Sequence, residues 1–134
     1  MRIARGLALV LVVGLLAAGC SKPRYEYKGP KVDAFTGQLV QNGKPVQFPA
    51  GSEPQLQLIF EEEARRFGIP IQPDGTFKIG WMPIGKYSAE MKWRKPGQSG
   101  KGATGPDLYT VPGGLTIEKG KTEYTIELGK AFKL

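Results

Sequence analysis

The stretch Lys86 to Arg94, KYSAEMKWR, alternates with a period of two. Tyr87, Ala89, Met91 and Trp93 fall on one phase, Ser88, Glu90 and Lys92 on the other. Successive side chains of a strand point to opposite faces, so this pattern specifies a strand with one face buried. Three more stretches repeat it. Thr76 to Trp81 puts Phe77, Ile79 and Trp81 inward, Gln55 to Phe60 does so with Leu56, Leu58 and Phe60, and Thr122 to Leu128 with Tyr124, Ile126 and Leu128. Weaker strands are expected over Phe35 to Gln41, Arg66 to Gln72 and Leu108 to Val111. Turns are expected at Asn42-Gly43, Pro73-Asp74-Gly75, Pro83 to Gly85, Pro112 to Gly114 and Lys119-Gly120, with Asp74-Gly75 the clearest hairpin. The 19 glycines and 11 prolines suit such frequent reversals. Glu61 to Arg65, EEEAR, is short enough for no more than a helical turn. Seven short strands without an intervening helix predict an all-β, antiparallel sandwich in a single domain.

The amino terminus follows other rules. Met1 to Arg5 is basic, and Gly6 to Gly19 is an uncharged run of Gly, Ala, Leu and Val. Fourteen residues are too few for a bilayer core, which takes about 20, but they have the length and flanks of a secretory signal. The run ends at Cys20, the only cysteine in the chain. With Ala17, Ala18 and Gly19 before it, the pattern resembles the bacterial lipoprotein signal. In that family the cysteine becomes the first mature residue and receives fatty acyl groups such as palmitate. Ala17 stands where leucine is commoner. Ser21, rather than aspartate, follows the cysteine and by the same resemblance favours the outer membrane. The expected divisions are a signal over residues 1–19, a lipidated Cys20 with a polar tether over 20–31, and a folded domain over 32–134.

Within that domain, FTGQLVQNGKPV (Phe35 to Val46), IQPDGTFKI (Ile71 to Ile79) and MPIGKYSAEM (Met82 to Met91) occur in the order and spacing that resemble carboxypeptidase regulatory-like, or transthyretin-like, domains. YTIELGKAFK (Tyr124 to Lys133) supplies a closing strand. Small lipoproteins of planctomycete-like bacteria often join such a domain to this kind of signal. The resemblance implies a seven-stranded immunoglobulin-like sandwich without catalytic residues. Lys95 to Gly105 departs from the family pattern as an insertion.

Composition narrows the chemistry. One cysteine excludes an internal disulfide, and the absence of histidine removes most acid–base and transition-metal options. Of 19 basic residues, Arg2 and Arg5 precede the oily run, leaving 17 against 12 acidic residues and a net +5. That excess suits anionic surfaces but lacks the dense stripe of a nucleic-acid binder. No cofactor, metal or nucleic-acid partner is expected. GQSGKGATG (Gly97 to Gly105) fails as a phosphate loop, because Gly102 follows Lys101 where a hydroxyl should stand. The basic residues Lys92, Arg94, Lys95 and Lys101 make the segment from Arg94 to Pro106 either a solvated tip or a contact for anionic polymer or headgroups. Glu61, Glu62 and Glu63 alternate faces in a strand and do not converge on one ion; Asp74 and Asp107 are separate positions, so no carboxylate pair is nominated. Trp81 and Trp93 share the apolar phase and are expected in the core, the alternative being a stacking platform for carbohydrate. The resulting expectation is a non-enzymatic envelope module held to membrane lipid through Cys20, with an envelope protein or a glycan as partner. The alternative is a carbohydrate- or peptidoglycan-binding module.

Overall fold

The computed structural model describes residues 26–96 and 105–134. Cys20, the signal over residues 1–19 and Lys101 lie outside the described residues. Ten strands run in order: β1 (Lys31–Val32), β2 (Phe35–Gln41), β3 (Lys44–Pro45), β4 (Gln55–Phe60), β5 (Arg65–Pro70), β6 (Thr76–Ile79), β7 (Met82–Pro83), β8 (Gly85–Trp93), β9 (Asp107–Ile117) and β10 (Glu123–Glu127). Three of these are two-residue bridges, so seven longer strands form the body. One four-stranded sheet has the order β5-β4-β8-β9; in the other, β2 is flanked by β10 on one side and by β3 and β6 on the other; β1 and β7 form a separate two-stranded sheet. The fold is an all-β sandwich.

The alternating phases meet between the sheets. Phe35, Leu39, Phe77, Tyr124 and Ile126 are buried from one side, and Leu56, Leu58, Phe60, Ile69, Tyr87 and Met91 from the other. Register explains why: Phe77, Gly37 and Tyr124 align across β6, β2 and β10, and Ile69, Leu56 and Met91 across β5, β4 and β8. Phe35 packs at 5.2 Å from Phe77 and 5.1 Å from Tyr124, ring centre to ring centre. Gly37 has room for no side chain, since a Cβ there would lie 2.2 Å from the Tyr124 carbonyl oxygen and 2.4 Å from the Phe77 ring.

β4 spans the residues its alternation predicts, and β2 likewise. Asp74-Gly75 forms the expected turn, with the Gln72 N–H donating to the Thr76 carbonyl at 2.9 Å, but the strands it joins do not pair as a hairpin: β5 belongs to one sheet and β6 to the other. Gly75 sits at φ 83, and a Cβ on it would lie 2.6 Å from the Val46 carbonyl oxygen. Residues 61–64 form the turn of the β4–β5 hairpin, with Phe60 opposite Arg65.

Three further features depart from the sequence reading. Pro112 to Gly114 is not a turn but a bulge inside β9, which continues to Ile117. Tyr87 pairs with Leu115 and Ala89 with Val111, so Pro112, Gly113 and Gly114 stand opposite the single residue Ser88. β9 is an edge strand, where a proline without an N–H and a bulge are both tolerated. Gly114, at φ 59, lets the bulge approach β8: a Cβ there would lie 2.5 Å from the Tyr87 carbonyl oxygen. Second, β10 runs parallel to β2, with Glu123 opposite Thr36 and Glu127 opposite Val40, although every other pair is antiparallel. Third, Tyr27 to Lys31, expected in the tether, packs on the sandwich. Tyr27 is 9 % exposed, the Ile84 N–H donates to the Pro30 carbonyl at 2.9 Å, and Lys31 pairs with Pro83.

Candidate functional site

The strands give the sandwich two distinct ends. β8 is nine residues long, about 26 Å at ~3.3 Å per residue. At its start lie Tyr27, the Glu61–Ala64 turn opposite Lys86, and Trp81. At its far end lie Trp93, Arg94, Lys95 and the carboxyl-terminal Phe132.

The first end is an aromatic clamp on the amino-terminal segment. Tyr27 meets Phe60 edge-on at 5.8 Å and stacks parallel to Trp81 at 6.4 Å. Phe67 packs on the edge of Trp81 at 6.3 Å, and Lys31 Nζ lies 5.1 Å from the Trp81 ring centre, within cation–π range. Burial raises the Tyr27 pKa, and the carboxylates of Glu62 and Glu63 raise it further. The acidic turn therefore sits beside the entering chain. The sequence offered little sign of this, because Tyr27 is an apolar position in a polar, proline-containing stretch with no periodicity around it.

The opposite end is closed by Phe132, which contacts Trp93 at 5.0 Å, Tyr109 at 5.2 Å and Phe48 at 6.3 Å. Gln41 Nε2 holds this tail by donating to the carbonyls of Gly129 and Phe132 at 2.9 and 2.7 Å. Beside it is a recess of ≈ 410 Å³ whose lining includes Glu53, Gln55, Lys92, Trp93 and Arg94. The Arg94 N–H donates at 2.7 Å to the carbonyl of Ser52, a buried residue whose Oγ donates to the Pro49 carbonyl. Of the expected basic tip, Lys92, Arg94 and Lys95 are therefore at this end.

Trp81 and Trp93 do not form one platform. Trp93 is core, as its phase predicts, and Trp81 is half-buried in the opposite cluster. Tyr87, which packs with the Trp81 cluster through Phe67 and Phe60, precedes Trp93 by six residues, about 20 Å along the strand. The carboxylates are likewise dispersed. Glu61, Glu62 and Glu63 sit on the turn at the clamp end. Asp74 accepts from the Thr76 hydroxyl at 2.6 Å and the Thr76 N–H at 3.0 Å, which hold its pKa below the usual carboxylate range. Asp107 starts β9 opposite Trp93. Among the described residues no group of three or more carboxylates could hold a metal ion.

A larger groove of ≈ 780 Å³ crosses the outer face of β10, β2 and β6. Its rows are Glu123, Thr36 and Lys78, then Thr125, Gln38 and Thr76. Several of its polar groups are occupied within the body. Thr36 Oγ1 donates to the Thr122 carbonyl, Thr76 Oγ1 to Asp74, and Gln38 Nε2 to the carbonyls of Leu39 and Asp74.

No family model matches the chain, and no curated protein matches it. One solved structure to which it is similar is a DUF3823 family protein from Parabacteroides merdae ATCC 43184, at 22% sequence identity and a TM-score of 0.41. The match covers 75% of this chain and 46% of that one, so the chain spans less than half of its neighbour's length. The assignment of the fold as a β-sandwich follows from the strand order and register above.

Proposed function

We propose that this chain is a non-enzymatic lipoprotein of the cell envelope, held at the outer membrane by acyl groups on Cys20, whose carboxypeptidase regulatory-like sandwich acts as a structural or interaction module. The observation that carries this reading is the docking of Tyr27. It brings the described chain to the sandwich at the end opposite Arg94 and Phe132. Cys20 precedes Tyr27 by seven residues, which span at most about 25 Å when fully extended. Anchoring through Cys20 would therefore keep the clamp end toward the bilayer and present the far end to the envelope. More than one acyl chain gives firm attachment, since each buried CH2 contributes about 0.8 kcal/mol.

Two measurements test this. Intact mass of the native protein should show an acylated chain beginning at Cys20, and Cys20→Ala should abolish that species and its recovery with membranes; an unmodified, soluble form of both would overturn the anchor. For the acylated protein in vesicles, energy transfer to a dansyl-labelled lipid should be stronger from Trp81 (in Trp93→Phe) than from Trp93 (in Trp81→Phe). Equal transfer from both would overturn the orientation.

A further inference from the structure

We infer that the recess at the far end is a binding site for the acidic groups of an anionic glycan. The inference rests on the envelope reading for the source of the ligand, and on the recess itself for its chemistry. Lys92 and Arg94 both line it, Lys95 follows directly, and none of the three has an ion-pair partner among the described residues. Lys92 is fixed near the end of a central strand by its pairing with Gln55, and Arg94, just past that end, by its hydrogen bond to Ser52. Lys130 and Lys133 flank Phe132, whose ring packs on Trp93, and add positive charge to the same end. Glu53 is the acidic side chain in the lining. Trp93 also lines the recess; its buried Nε1–H has no acceptor among the described residues.

This donor-rich set is suited to carboxylate or phosphate, which accept charge-assisted hydrogen bonds from guanidinium and ammonium groups. Pro54, Pro70 and Pro106 provide walls without N–H donors, leaving recognition to the charges. An anionic headgroup of the anchoring leaflet is the wrong ligand in this geometry, because the recess and the clamp lie at opposite ends of β8. A chain-like acid reaching in from the envelope has the right approach. The larger outer-face groove lacks this character: it offers one cation, Lys78, in the same row as Glu123.

Calorimetric titration of the full mature protein tests the site, with polygalacturonate as the carboxylate probe, a phosphorylated mannan as the phosphate probe and dextran as the neutral one. At least one acidic glycan should bind, less tightly as salt is raised, and the stronger of the two identifies the acid. Arg94→Gln and Lys92→Gln should each weaken binding by about tenfold, as expected for one charge-assisted hydrogen bond, with circular dichroism unchanged. Lys78→Gln on the outer groove should leave affinity unaltered. Absence of binding to both acidic glycans by folded protein, equal binding of dextran, an equal loss in Lys78→Gln, or capture by phosphatidylglycerol vesicles alone would each overturn the inference. The mass of the Cys20 species is read separately, so a failed anchor and a failed site give different results.

Discussion

Replacing Tyr27 with alanine should release the amino-terminal segment while leaving the sandwich folded. A tyrosine buries about 150–250 Å², worth roughly 4–6 kcal/mol at ~25 cal/mol per Å². Compact unfolded chains already hide part of that area, which lowers the figure by up to about 40%. Alanine retains its Cβ, and a segment joined to the body by the two-residue β1 can move away rather than leave a cavity. The net cost is then about 2–3 kcal/mol. The Ile84 amide reports it directly, because its acceptor is the Pro30 carbonyl, three residues from the substitution. Hydrogen exchange at Ile84 should accelerate about 30- to 150-fold, since each 1.4 kcal/mol is roughly a factor of ten. Amides joining β4 to β8 should change far less. An acceleration below about threefold at Ile84, or an equal acceleration at the Leu58 and Met91 amides, would refute the argument that Tyr27 is a local clamp.

Three further outcomes are expected. Gly75→Ala should cost about 1–3 kcal/mol, read as a lowered Tm, because it strains a positive-φ residue and drives a Cβ toward the Val46 carbonyl. Tyr124→Phe should cost about 1 kcal/mol and speed exchange at the Glu118 amide, since the Tyr124 hydroxyl accepts from the Glu118 N–H at 3.0 Å and donates to the Lys121 carbonyl at 3.1 Å. Glu127 accepts N–H bonds from Asn42, then Gly43 and Gly129, which lower its pKa. Its stabilisation is therefore present above the ordinary glutamate range and lost as pH falls through the depressed folded value; Glu127→Gln should flatten that acid limb of a Tm–pH curve.

The strands were legible where one face is buried. Leu56, Leu58 and Phe60 alternate with half-buried polar or aliphatic neighbours, and β4 has the bounds its pattern implies. The same signal located Trp93 in the core. It failed at Pro112 to Gly114 because a bulge and a turn share the same residues, and only the pairing of Leu115 with Tyr87 shows that the strand resumes. β5 was faint because an edge strand buries little: of Arg65 to Pro70, Ile69 alone is fully buried. Pairing direction is a tertiary property, so nothing in Thr122 to Leu128 announced a parallel neighbour. The clamp was hidden for a different reason. Tyr27 is held by Phe60 and by Trp81, itself backed by Phe67, from distant parts of the chain, and no local pattern records that meeting. Of the binding recess, the sequence supplied the basic residues but not the Ser52 and Trp93 framework that fixes them.

The parallel junction of β2 with β10 has a bearing on how the molecule is made. Thr36 and Glu123 are neighbours in the sheet although 87 positions separate them in sequence. Contacts of such long range close late, since the intervening loop must first be ordered. A polypeptide appearing from its amino end therefore leaves one margin of β2 bare until Glu127 has emerged, and β10 acts as the latch.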